Sequence, residues 1–385
     1  MMEIYLDNSA TTRCLDSVRD IVVRTMTQDY GNPASLHRKG VEAEAYIKEA
    51  KERLAGILKC SEKEIFFTSG GTESNNLAIV GTAMANRRAG RHVITTKIEH
   101  ASVRRPFEYL EEQGFRVTYL PVNEYGLVDL DALRDAVCDE TILVSVMHVN
   151  NEIGTIQPVA DISRIVKEKN NRTYVHVDSI QGFGKLRIYP KRMGIDMLSV
   201  SGHKIHGPKG VGLLYIRENV KIKPILLGGG QQKDMRSGTE NVPGAAGIGQ
   251  AAMEIYEHLE EHTAHMYELR RYFIEKVCAL EGVSINGYTD ERSAPHIVSV
   301  NFEGVRSEVL LHSLEESGIY VSSGSACASN KKTASATMEA IGRHGQMAEG
   351  TIRFSFSKDT TKEQLDICLE QLEKLLPVLR KYKRY

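Results

Sequence analysis

No run of about 18 consecutive apolar residues occurs in this 385-residue chain, although apolar residues make up 41% of it, so no bilayer-spanning helix is expected. The opening MMEIYLDNSATT lacks a basic stretch followed by an apolar one, so no secretory signal is expected. Charge of one sign is missing too: 49 Lys and Arg stand against 50 Asp and Glu. That balance gives no whole-chain attraction for nucleic acid or a membrane surface. The six cysteines, at 14, 60, 138, 278, 327 and 368, are never closer than 41 residues. This excludes local Cys-x-x-Cys spacing and argues against a stapled secreted scaffold. A cytoplasmic enzyme is the expectation, with five core thiols and one, Cys327, in unusual surroundings.

What is present is an alternation of strand and helix. Seven apolar, β-branched runs occupy residues 65–69, 92–96, 116–120, 142–147, 174–178, 197–201 and 211–216, as expected of strands buried on both faces. Helical patterns fall between them at 74–88, 101–113, 129–137 and 158–169, with Asp129 as an N-cap and Pro158 as a first-turn proline. This predicts an α/β fold with a largely parallel sheet. One long helix is predicted over 243–280. Beyond it, strands at 296–302, 319–322 and 351–357 and helices at 306–317 and 362–376 suggest a smaller α+β domain. The domain boundary is expected inside the long helix, near 255.

Chemistry-bearing residues cluster at the ends of the predicted strands. Lys204, in Ser201-Gly-His203-Lys204, follows the strand 197–201, where partial desolvation and nearby cations would free its amine to attack a carbonyl. A solvated loop lysine is the plain alternative. Asp178 ends Tyr174-Val-His-Val-Asp178, and a carboxylate there needs a positive partner such as a pyridinium nitrogen, unless it only caps the next helix. Thr68-Ser-Gly-Gly71-Thr72-Glu-Ser-Asn-Asn76 joins a strand to a helix and suits a phosphate group. It lacks the Gly-x-x-x-x-Gly-Lys and Gly-x-Gly-x-x-Gly spacings of nucleotide loops. His100 follows another strand, as a ring-stacking, proton-moving group or a structural histidine. Small residues surround Cys327, with Lys331 and Lys332 close behind, a setting that favours thiolate. Arg353, within the apolar strand 351–357, wants a carboxylate that an α-amino acid could supply.

Together these segments resemble the cysteine desulfurases of the NifS/IscS type, pyridoxal-phosphate enzymes of fold type I. The resemblance runs from Tyr5 to the last helix. It is carried by Leu6-Asp-Asn-Ser-Ala-Thr-Thr12, Gly31-Asn-Pro-Ala-Ser-Leu-His37, Thr68–Asn76, Glu99-His100, Met147-His-Val-Asn-Asn151-Glu-Ile-Gly154, His176-Val-Asp178, Ser201-Gly-His-Lys204, Arg236-Ser-Gly-Thr239-Glu-Asn and Ser323-Gly-Ser-Ala-Cys327.

The family implies a large domain (14–255) built on a mainly parallel seven-stranded sheet and a small domain (1–13 and 256–385) carrying the thiol loop. It implies that Lys204 bonds pyridoxal 5'-phosphate and moves the proton at Cα, that Asp178 holds the pyridine nitrogen and Gln181 the phenolic oxygen, and that His100 stacks on the ring. Gly71, Thr72, Ser201 and His203 match phosphate contacts, with Thr239 reaching the phosphate of a neighbouring subunit, so a homodimer is implied. Asn151 and Arg353, assisted by Asn32, match residues that orient L-cysteine, and Cys327 matches the sulfur acceptor that passes a persulfide to a protein. No direct nucleic-acid or membrane partner and no metal is implied. Residues 329–337 depart from the family's usual stretch after the cysteine, and the sequence stops short of the tail with which housekeeping members engage an iron–sulfur scaffold. A selenocysteine lyase or a sulfinate desulfinase shares the cofactor residues; a non-catalytic scaffold would not be expected to keep Lys204, Asp178, His100 and Cys327 together.

Overall fold

Residues 3–323 and 335–382 are described by the computed structural model. β1 (Ile4–Tyr5) opens the chain, and a seven-stranded sheet follows, formed by β2 (Ile65–Thr68), β3 (His92–Thr96), β4 (Arg116–Leu120), β5 (Thr141–Met147), β6 (Tyr174–Asp178), β7 (Met197–Ser201) and β8 (Gly212–Ile216). Their order is β2-β8-β7-β6-β5-β3-β4, with β8 antiparallel to both of its neighbours and the other pairs parallel. All seven residues of β5 are buried, as a run of β-branched side chains between two helical layers requires. β4 departs from the expectation of two buried faces: it is the edge strand and only Leu120 is fully covered.

Two helices that the alternation did not predict, Asp16–Thr27 and Arg38–Leu58, pack on the helix Val242–Glu257. In the second of them Ala43, Ile47, Ala50, Leu54 and Leu58 recur at helical spacing and enter the main core. The single helix expected over 243–280 is in fact two. His258, at φ −116° and ψ 23°, ends the helix Val242–Glu257 and precedes the helix Leu259–Val277. The chain changes core just beyond the break: Tyr256 and Leu259, on either side of it, join the first cluster, whereas Leu269, Phe273 and Val277 join the second.

That second core lies against a four-stranded antiparallel sheet. β9 (Val283–Asn286), β10 (Ile297–Phe302), β12 (Ser322–Ser323) and β13 (Thr351–Ser355) run in the order β12-β13-β10-β9, while β11 (Ile319–Tyr320) pairs in parallel with β1. Phe273, Phe302, Phe354 and Phe356 meet within it in tilted and edge-to-face pairs, and Ile4 and Leu6 from the start of the chain are buried there. Residues 8–12 then cross to the large sheet: the Ser9 N–H donates to Ser355 Oγ at 2.8 Å and the Thr12 N–H to the His203 carbonyl at 2.9 Å.

The cysteines need correction. Of the five outside the thiol loop only Cys368 is buried; Cys14, Cys60 and Cys138 are half-buried and Cys278 is exposed. Helical context alone did not separate inward from outward faces. Among the described residues no helix is long and apolar enough to cross a membrane.

Candidate active site

The parallel strands and β2 end on one edge of the large sheet, and the residues after them converge there. After β2, Gly70 takes φ +149° and Gly71 opens the next helix. A Cβ on Gly71 would lie 2.1 Å from Ile180 Cδ1, so a larger residue here would have to displace the Ile180 side chain after β6. Gly71, Thr72, Ser201 and His203 line a cavity of about 420 Å³, together with Thr11 and Lys209. Backbone N–H groups at a helix start, the hydroxyls of Thr11, Thr72 and Ser201 and a lysine suit a phosphate.

Asp178 ends β6 and is 5% exposed. Its Oδ2 accepts from Asn75 Nδ2 at 2.8 Å and its Oδ1 from the Ile180 N–H at 3.0 Å. Burial pushes its carboxyl above the ordinary range, opposed by the Ile180 N–H and then by His100, Asn75 and Lys204. No cation pairs with it among the described residues, so the site holds a buried carboxylate suited to a positive ring nitrogen. These features fit pyridoxal phosphate.

Asn75 is a residue to which the sequence assigned no separate role. It also donates to Ser102 Oγ at 2.9 Å, and that oxygen lies 2.8 Å from His100 Nδ1. The Ser102 hydroxyl, already an acceptor, turns its proton to His100, whose Nδ1 also accepts from the Ser102 N–H at 3.1 Å. The neutral imidazole therefore carries its proton on Nε2. A continuous relay links Asp178 through Asn75 and Ser102 to His100. The Asn-Asn pair ending Thr68–Asn76 was its only sequence signal.

Lys204 closes the short turn Gly202–Lys204 after β7, and its Nζ donates to the Ser9 and Ala10 carbonyls at 2.5 and 2.8 Å. Gln181 Nε2 donates to the same Ser9 carbonyl at 2.9 Å, while its Oε1 accepts from buried His296 at 3.2 Å. The first segment of the chain thus contributes backbone oxygens beside the lysine, and His296 arrives from the second unit; neither was foreseen in that role. Arg353, in β13, donates through Nη2 to Asp7 Oδ1 at 2.8 Å and through Nη1 to the Asn151 carbonyl at 2.7 Å. Its Nε is buried and has no hydrogen-bond partner among the described residues. Arg353 and Asn151 therefore meet, but through a backbone oxygen.

Two expected residues stand apart. Asn32 is exposed and its Oδ1 accepts from the Ala34 N–H at 3.0 Å, within its own turn. Thr239 is exposed too, on a loop tied to the phosphate-type turn by the Arg236–Glu73 ion pair at 2.9 Å. Cys327 lies outside the described residues.

Glu99, just before His100, is buried; its Oε1 accepts from Thr96 Oγ1 at 2.7 Å and from the Met147 N–H at 3.0 Å, and its Oε2 has no partner among the described residues. Burial pushes its carboxyl up to about 8, so it is protonated at neutral pH in the folded state. The unfolded chain gives up this proton near 4.5, so the folded state binds more protons between 4.5 and 8 and stability falls as pH rises through that window. Glu99→Gln, which mimics the neutral acid, is expected to gain about 3 kcal/mol over the parent at pH 7 and little at pH 4.5. Denaturant melts of both proteins across that range check this; parallel curves would contradict it.

A lysine at a strand end, a buried aspartate and a phosphate-type turn on one sheet edge define an enzyme of the aminotransferase kind. The aminotransferase class-V family profile matches residues 4–368. A cysteine desulfurase IscS of Methanosarcina thermophila is 44% identical over 377 residues, covering 98% of this chain and 93% of that protein. Another, from Dictyoglomus turgidum, is 42% identical and covers 100% and 97%. Among solved structures, a NifS-like protein superimposes with a TM-score of 0.93 at 41% identity, covering 98% of this chain and all of the other. SspA in complex with cysteine gives 0.82 at 34% identity, covering 94% and 100%. The chain belongs to the class-V aminotransferase family, and within it to the cysteine desulfurases of the IscS/NifS type.

Proposed function

We propose that the chain converts L-cysteine to L-alanine and takes the sulfur onto Cys327 as a persulfide for delivery to a protein acceptor. The observation that carries this reading is the juxtaposition of Lys204 with buried Asp178, which makes no ion pair among the described residues, beside a phosphate-type cavity. Pyridoxal 5'-phosphate, when bound, supplies an electron sink for the charge that develops at the substrate Cα. Gly71, Thr72, Ser201 and His203 would hold its phosphate, Asp178 its ring nitrogen, Gln181 its phenolic oxygen and His100 its ring face.

Lys204 would hold the cofactor through its amine and, with the substrate amine in that place, would accept the proton from Cα. Arg353 binds the substrate carboxylate, exchanging its contact with Asp7, while Asn151 orients the substrate. The Cys327 thiolate attacks the substrate sulfur: an S–S bond forms, the Cβ–S bond breaks, and its electron pair stays with the carbon, which takes up a proton. Alanine leaves.

On this reading the molecule divides into a large domain (14–255) and a small one (1–13 and 256–385), and works in the cytoplasm. It is a homodimer in which Thr239 serves the neighbouring subunit's phosphate. Its exposure favours this, as do the exposed apolar side chains Met26, Tyr30 and Leu227.

The purified protein is expected to be yellow and to release alanine and sulfide from L-cysteine with a reductant. Parallel product analysis with L-selenocysteine and L-cysteine sulfinate tests the substrate. Cys327→Ala is expected to keep the colour and lose sulfide release; undiminished sulfide from that variant would remove Cys327 from the reaction.

A further inference from the structure

Lys185 lies in the turn that follows β6 and is 6% exposed. A lysine this buried is ordinarily paired with a carboxylate. Here, among the described residues, no carboxylate meets it. Its ammonium makes one hydrogen bond there, from Nζ to the backbone carbonyl of Lys204 at 3.1 Å.

The charges around this contact are mostly positive or neutral. Lys185 acts on Lys204, on His206 and on His296, and both imidazoles are held neutral by burial first. Arg353 also faces His296; Lys358 and Asp359 face His206. His203 lies within reach of Lys204, and Asp7 and Asp178 are carboxylates that feel it. A cation is thus kept in the interior at the one lysine whose amine must be free to react.

We propose that Lys185 is a positioning residue for Lys204: it fixes the Lys204 carbonyl and sets a second cation near the Lys204 ammonium, which favours the unprotonated, nucleophilic amine. The inference rests on the reading of Lys204 as the cofactor-bearing residue. Burial first, and Lys204 second, lower the Lys185 ammonium to about 8. Its charge is therefore present at neutral pH and fades above that value. The same cation disfavours a proton on the nitrogen that joins Lys204 to the cofactor, because like charges repel most where water is excluded.

The test uses the holoenzyme without substrate and follows the pH midpoint at which the visible band of the lysine-bound cofactor changes. Lys185→Met removes charge and hydrogen bond; Lys185→Gln removes the charge and keeps a donor; Lys185→Arg keeps both. The Met and Gln variants are expected to raise the midpoint by about one pH unit, a tenfold gain in proton affinity, and Arg to hold it near the parent value. A purely structural role would lower thermal stability in the variants without moving the midpoint. A folded Gln variant with the parent's midpoint overturns the proposal, as does an equal shift in the Arg variant. A parent protein with no visible band and no borohydride-trappable cofactor would instead refute the reading of Lys204, and this inference with it.

Discussion

Lys204→Ala is expected to reduce turnover of L-cysteine by roughly a thousandfold or more and to leave no cofactor that borohydride can fix to the chain. The amine is the group lost; the local backbone does not depend on it. The turn Gly202–Lys204 is closed by the Ile205 N–H to the Gly202 carbonyl at 3.1 Å, and the Lys204 carbonyl still receives Lys185. Lys204 is only half-buried, so its truncation is expected to cost little stability. The Ser9 carbonyl keeps Gln181 Nε2 as a donor at 2.9 Å, and only the Ala10 carbonyl, at a half-buried residue, loses its side-chain contact. Mass analysis after borohydride treatment checks the outcome. A cofactor still covalently attached to the unliganded variant would show that another amine does the work, and Lys185 is the first to examine.

The second large effect is expected at Asp178. Asp178→Asn preserves the shape of the side chain and an oxygen that can accept from the Ile180 N–H, but removes the charge. Turnover is expected to fall by about 10²–10³, the scale of losing one preorganised electrostatic contact. Cofactor retention on dialysis is expected to weaken with it. Stability without cofactor is expected to hold or rise, since burial raises the parent's carboxyl and no ion pair among the described residues offsets it. Opposite signs in the two measurements are the signature of a group kept for binding at some expense to the fold. An Asn variant with the parent's turnover would place the ring nitrogen elsewhere.

The relay beyond Asp178 limits how such variants should be read. Asn75 serves Asp178 and Ser102 at once, and Ser102 sets the tautomer of His100. Changes at these positions are expected to be non-additive, because each alters the partner of the next.

By itself the sequence determined the seven sheet strands, since continuous β-branched runs between helical stretches leave few other ways to bury their side chains. It also determined the residues at the strand ends: Lys204, Asp178, Gly71 and His100 each follow a strand, and parallel topology carries strand ends to one edge. The period of the pattern did not reveal the break at His258, because residues on both sides of it are helical and the exchange of one core for another comes only beyond it. Nor did composition reveal which cysteines face outward, a matter of helix rotation against the core.

What only the tertiary structure decided is which distant groups meet. Ser9 and Ala10 reach Lys204 from nearly two hundred residues away, and His296 reaches Gln181 from the second unit. Asp7 and Asn151 both hold Arg353. Such contacts depend on how two separate cores dock and on the path of one short segment between them, and no local propensity encodes either. Lys185 is the plainest case. In sequence it is one more lysine in a turn, and only its burial against the Lys204 carbonyl, with no carboxylate beside it among the described residues, gives it a part in the chemistry.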